Sequence, residues 1–134
     1  HWRQGPLTLH GTMTHGFPNQ FYIGYIQGAT NSTVTVQFGE QGRHIAHVIA
    51  ETLKRGGKGA EVSKQAMDDY VTRFRELEPP SDFADQCTPS YFNNEGEKDT
   101  RWALFRAWGL GWDNFDQMVK DWRKEGKLEG IQIS

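Results

Sequence analysis

Three side chains with metal-ligand chemistry stand one helical turn apart: Glu40, His44 and His47 have the spacing E-x3-H-x2-H. Helical neighbours at i, i+3 and i+4 share a face, and imidazoles with a carboxylate suit zinc or iron. No fourth ligand is signposted, although His10 and His15 lie upstream. The spacing is therefore read as a helix flank on which Glu40 pairs with His44 or Arg43, and no metal is assigned. Cys87 is the one thiol. No base is identifiable beside it, and a lone thiol is usually a small buried hydrophobe, so no catalytic residue is assigned to this chain.

The elements around the histidines are more informative. Phe21 to Ile26 (FYIGYI) is apolar or glycine on both faces, which predicts a buried strand covered on both sides. Gln27 to Thr33 (QGATNST) is small and polar and ends it. A long helix follows from about Val34 to Lys54, with Thr33 or Thr35 as N-cap, Val34, Phe38, Ile45, Val48 and Ile49 at helical spacing, and Gly56-Gly57 as its stop. Strand, loop and helix N-terminus in this order suit an electron-rich cofactor edge, because ligands collect where helix N-termini point unpaired N–H groups.

Before this stretch, Leu7 to Met13 alternates enough for an edge strand, and the Gly16-Phe17-Pro18-Asn19 turn is expected to tuck Phe17 inward. After it, Glu61 to Glu78 reads as a second helix. Ser63 is its N-cap, Val62 and Met67 form a hydrophobic staple, and Met67, Tyr70, Val71, Phe74 and Leu77 make one apolar stripe. Residues 81–101 form a long irregular segment with Phe83, Tyr91 and Phe92 as apolar anchors. The periodicity of Arg101 to Trp112 does not decide between strand and helix. Asp113 is expected to cap a last helix with Asp116 at the acidic capping-box position, Phe115, Met118, Val119 and Trp122 as its apolar face, and Gly126 as its stop. Leu128 to Ile133 is read as a terminal strand or a docked tail.

The totals set bounds. With 134 residues, 36% of them apolar, the chain has material for a core. Interspersed charge with a net of −2 gives no field to recruit nucleic acid or anionic lipid, and no apolar run approaches the roughly 20 residues of a membrane span. Neither partner is expected, and a reducing, cytoplasmic setting is the default for one cysteine. The strand inventory is too small for a free-standing doubly wound sheet, so a portion of a larger fold is expected.

On these segments the chain resembles the C-terminal part of flavin-dependent Baeyer–Villiger monooxygenases. The resemblance rests on Trp2-Arg3-x-Gly5-Pro6 leading to Gly11, on His15-Gly16-Phe17-Pro18-Asn19 with Phe21 and Tyr22, and on Glu40-Gln41. Cys87-Thr88-Pro89-Ser90-Tyr91-Phe92-Asn93-Asn94-Glu95-Gly96 and Trp122-Arg123-x-x-Gly126-x-x-Glu129-Gly130 complete it. The Cys-Thr-Pro and Asn-Asn-Glu-Gly wording is most similar to the branch acting on aryl ketones, steroids and large cyclic ketones. One departure is Tyr25-Ile26-Gln27, where family members often have Gly-Pro.

The resemblance implies an α/β fold class: an incomplete fragment of an FAD-domain sheet, about one to three strands, with a mostly helical C-terminal segment. Residues 1–57 would be the C-terminal portion of the FAD-binding domain, and 58–134 the helical and irregular segment with a substrate- and NADP-side loop at 81–101. Thr33, Val34 and Thr35 would face the flavin pyrimidine edge, and Thr30, Asn31 and Asn93 would border the substrate pocket. Tyr91 would be an NADP-side contact with Asn93 as its polar neighbour; packing of Tyr91 as a loop anchor with Asn93 in a turn is the equal alternative. FAD and NADPH would be bound mainly by an N-terminal portion of the same enzyme, since no G-x-G-x-x-G fingerprint and no F-x-G-x-x-x-H-x-x-x-W-P signature occurs here. The implied reaction inserts oxygen beside a ketone to give an ester or lactone, and this chain alone should be inactive. N- or S-oxidation with the same cofactors, or a freestanding binding or assembly domain, are the alternatives.

Overall fold

A computed structural model describes residues 2–3, 5–78, 88–96 and 107–134. Among them lie three α-helices, α1 (Val34–Lys54), α2 (Lys64–Leu77) and α3 (Gly111–Glu125), and two short strands, β1 (Ala60–Val62) and β2 (Ile131–Ile133). The strands pair antiparallel, Glu61 opposite Gln132.

Local chemistry sets the helix ends. The α2 N-cap is Ser63, whose side chain accepts the Ala66 N–H at 3.2 Å and satisfies one orphan donor of the first turn. The first helix ends where Gly56 adopts φ 77° and the Gly57 N–H returns to the Thr52 carbonyl at 3.0 Å. Gly126 closes α3 in the left-handed conformation.

The core joins both halves of the chain. Met67, Tyr70, Val71 and Phe74 on α2 pack with Leu9 and Met13 from the N-terminal segment, Val62 of β1, and Phe115 and Val119 of α3. Trp108 stacks on Tyr70 with ring centroids 5.9 Å apart, filling the space between α2 and α3.

Several expectations are corrected. Phe21 to Ile26 is not a strand among the described residues: Phe21 makes a single bridge to Met13, Tyr22 donates to the Thr12 carbonyl at 2.8 Å, and the chain then bends at Gly24. A strand exists only where a neighbour supplies a ladder, and this segment has none beyond that contact. Leu7 to Met13 is a tight hairpin turn. Leu9 and Met13 exchange backbone bonds while His10 and Gly11 take φ 53° and 70°. Phe17 is exposed. The segment expected to open the second helix at Glu61 belongs to β1. Leu110 occupies the α3 N-cap position, Asp113 sits inside the first turn, and Asp116 binds Lys120 at 2.6 Å. In α1, Val34 and Ile49 are exposed, and the stripe turned inward is Gln37, Gln41, His44, Val48 and Thr52. Cys87 and most of 81–101 fall outside the described residues, as does the Tyr91 side chain.

Candidate functional site

The irregular segment 24–33 leads into the N-terminus of α1, and buried polar side chains hold it in place. Gln41, one turn and more into α1, meets Gly24 with both ends of its carboxamide: Oε1 accepts the Gly24 N–H at 3.0 Å and Nε2 donates to the Gly24 carbonyl at 2.8 Å. Gln37, one turn earlier, donates to that carbonyl at 3.3 Å and accepts the Asn31 N–H at 3.1 Å. Together the two glutamines supply the pairing that a neighbouring strand would have given.

From the other side, Gln27 accepts from the Thr8 N–H and hydroxyl, both at 2.8 Å, and its own carbonyl accepts the Tyr70 hydroxyl. Burial pushes the Tyr70 phenol pKa up, which keeps it a neutral donor. The Trp108 N–H donates to the Gly28 carbonyl at 3.0 Å. Residues 27–29 are buried as a result, whereas Thr30 and 32–36 are exposed. A fixed base therefore carries an open rim.

The proposed cofactor-side amides lie on that rim. Thr33 is the α1 N-cap without a side-chain cap bond, and its N–H donates to Asn31 Oδ1 at 2.7 Å. The Val34 and Thr35 amides, in the first helical turn, take no partner among the described residues. Of the three candidates, these two are available to a ligand. Asn31 closes the loop with its side chain and donates its backbone N–H to Gln37 Oε1. Asn93 lies in a 3-10 turn spanning Tyr91–Gly96. Its Oδ1 accepts the Ser90 N–H at 2.8 Å and its Nδ2 donates to the Thr88 carbonyl at 3.2 Å.

Beneath the rim, the E-x3-H-x2-H residues part company. Glu40 pairs with Arg43 and, across to α3, with Arg123 Nη2 at 3.3 Å. His44 Nε2 faces His10 Nδ1 at 3.2 Å, so one ring donates and the other accepts. Both rings meet the Trp122 indole edge to face, at 5.3 Å from His10 and 5.0 Å from His44. Burial lowers the His10 pKa to about 4; burial first, then the neighbouring His10, Arg123 and His47, lowers that of His44 to about 2. The pair is neutral at pH 7. No group of three or more His, Cys, Asp or Glu among the described residues is placed to hold a metal ion. His15 binds the Val62 carbonyl at 2.8 Å instead.

Gln37 escaped the sequence reading, Gln27 entered it only as the start of a loop, and Gln41 only as part of a motif. The available signal was position: two glutamines four apart on one helix, following a glycine-interrupted apolar run.

No family model matches the chain. Curated relatives match along almost all of it. FAD-binding monooxygenase hmp7 of Hypomyces subiculosus is 36% identical over 132 residues, covering 98% of this chain and 22% of the relative. Baeyer-Villiger monooxygenase ATR8 of Stachybotrys chlorohalonatus is 34% identical over 138 residues, covering 98% and 21%. The structure of a polycyclic ketone monooxygenase from Thermothelomyces thermophila superposes with a TM-score of 0.75 at 28% identity, covering 98% of this chain and 22% of that one. The chain is thus homologous, nearly end to end, to one segment of FAD-binding Baeyer–Villiger monooxygenases, and spans about a fifth of the length of these relatives. Among the described residues no helix is long and apolar enough to cross a membrane.

Proposed function

We propose that this chain serves as the C-terminal portion of an FAD- and NADPH-dependent monooxygenase that inserts one oxygen atom of O2 beside a ketone carbonyl, yielding an ester or lactone. The observation that carries the reading is the open N-terminus of α1, with the Val34 and Thr35 amides unpaired at the end of a loop clamped by Gln37 and Gln41. These residues fit a flavin: two N–H donors and the positive end of a 21-residue helix suit the electron-rich N1–C2 edge of its pyrimidine ring. When bound, the flavin supplies the electron transfer to O2 and the oxygen chemistry.

The chain's own part is binding and orientation. Val34 and Thr35 N–H groups hold the pyrimidine edge and favour negative charge there; donors fixed in advance cost no reorganisation at the moment of reaction. Thr33 completes the loop through Asn31, and Thr30 and Asn31 border the ketone pocket. Residues 1–57 close the FAD-binding domain, and 58–134 form the helical and irregular segment that follows it. The NADP-side role expected of Tyr91 falls on a side chain outside the described residues, and Asn93 holds the Tyr91–Gly96 turn. The partner is the N-terminal FAD- and NADP-binding portion of the same enzyme.

The test is product analysis. The full-length polypeptide, purified with FAD and supplied with NADPH, a bulky cyclic ketone and isotopically labelled O2, should release a lactone carrying one labelled oxygen. Oxidation confined to amines or sulfides would replace ketone insertion with heteroatom oxidation, and absence of flavin would remove the reading altogether.

A further inference from the structure

Between α1 and α3, with Ala29 of the loop base in its wall, lies a cavity of about 20 Å³. One water needs roughly 10–15 Å³ and a drug-sized ligand ~300 Å³ or more, so the space excludes a ketone, a nucleotide and any guest beyond a few atoms. Ala29, Trp112, Phe115 and Val119 give it apolar walls. The polar side chains around it are engaged elsewhere. Thr12 donates its hydroxyl to the Leu9 carbonyl at 3.4 Å, Gln41 commits both ends of its carboxamide to Gly24, Glu40 pairs with Arg123, Asp116 with Lys120, and His10 with His44. Most of the surface turned to the cavity is therefore carbon. Within this wall, His44 Nδ1 is the buried side-chain polar atom without a partner among the described residues, whereas a buried water is held by two to four.

A carbon-walled space of this size selects a small apolar molecule, because leaving water for an apolar environment favours such a guest and the wall offers a polar one little in return. One molecule of that kind belongs to the reaction proposed above: O2. The relatives are an FAD-binding and a Baeyer-Villiger monooxygenase, and Ala29 immediately precedes Thr30, where the buried base of the loop gives way to the exposed rim. We propose that the cavity between α1 and α3 is a docking site for dioxygen beside the flavin-facing loop, with Ala29, Trp112, Phe115 and Val119 as its walls. The proposal rests on the flavoenzyme reading and adds to it a holding place for the gaseous co-substrate. O2 is held there unchanged, with no bond made and no electron moved, and the cavity raises its local concentration next to the loop. Val119 sets the space from α3, an element that carries none of the proposed flavin contacts.

Xenon, a small apolar atom, is the probe. The full-length polypeptide is compared with Val119→Phe, which fills the cavity, and Val119→Ala, which enlarges it; Val119→Leu is the gentler filling change if phenylalanine prevents folding. Titration with dissolved xenon, followed by xenon NMR, should give a saturable shift in the parent that the filled variant loses. In stopped flow, reaction of the NADPH-reduced flavin with O2 should slow by at least about three-fold in the filled variant and hold or quicken in Val119→Ala, whereas flavin reduction by NADPH should change by less than about two-fold in either. A merely structural lesion would slow both steps together, so the ratio of the two rates is the readout. An unchanged reaction with O2 in a variant that no longer binds xenon would overturn the proposal. A parent without a saturable xenon shift, its cavity taken by water or by the rest of the polypeptide, would overturn it equally. Flavin-free protein that binds xenon, and loses it in the filled variant, would remove the flavoenzyme reading and the dioxygen assignment with it, an outcome set apart from the other two by the retained gas site.

Discussion

Gln41 treats Gly24 as a neighbouring strand would, accepting its N–H at 3.0 Å and donating to its carbonyl at 2.8 Å through one carboxamide. The relationship converts a glycine-interrupted apolar run into a fixed loop and couples that loop to α1. Both backbone groups of Gly24 are part-buried, so Gln41→Leu leaves its N–H unpaired at about 1–3 kcal/mol and its carbonyl with Gln37 alone. The expected outcome is a lowered denaturant midpoint with accelerated amide exchange over 24–31. Gln41→Glu, which keeps an acceptor for the Gly24 N–H but no donor, should lose less. Unchanged exchange over 24–31 in Gln41→Leu would show that the loop is held elsewhere.

Gly11 offers a sharper steric test. It sits in the 9–13 hairpin at φ 70°, and a Cβ there would stand 2.2 Å from the Ile26 carbonyl oxygen. Gly11→Ala combines left-handed strain with a backbone clash, and should cost at least about 2 kcal/mol. The melting temperature should fall by several degrees, whereas alanine at Gly42, which meets open space, should hold or raise it in the 134-residue chain.

The His10–His44 pair predicts a pH dependence of definite sign. A histidine whose folded pKa is depressed binds its proton more readily when unfolded, so its stabilising effect is complete above pH 6.5 and drains away as pH falls toward 4. The charged groups facing the pair are Arg123, which further disfavours protonation, and Glu40, already occupied by Arg43 and Arg123. Unfolding free energy should decline on acidification from pH 6.5 by up to about 1.4 kcal/mol per unit for each proton withheld. Replacing His10 by Asn, which tolerates its φ of 53°, should flatten that slope. A parent profile flat from pH 7 to 5 would show that the rings are not shielded as described.

What was legible in the sequence was what short-range chemistry decides. The bounds of α1 follow from its apolar period and from Gly56-Gly57, the start of α2 from Ser63, and the end of α3 from Gly126. Pairing was harder, because a strand needs a distant neighbour. The terminal run at Ile131 found its partner in Ala60–Val62, a segment too short to carry a signal, while Phe21 to Ile26 found side chains in place of a ladder. The orientation of α1 was hidden for a different reason. Apolar period identifies the face that wants burial, and here that face looks away from this chain's core, which takes two glutamines and a histidine instead. The rim at Thr30 to Thr35 was legible as a loop entering a helix; that Asn31 already occupies the Thr33 amide was not.

The central claim is that the start of α1 touches the flavin. It is tested most directly by amide hydrogen exchange at Val34 and Thr35 in the full-length polypeptide with and without FAD. Added FAD should slow exchange at these two amides by about ten-fold or more, with little change in the last turn of α1 near Lys54. Exchange at Val34 and Thr35 that is indifferent to a bound stoichiometric flavin would contradict the account.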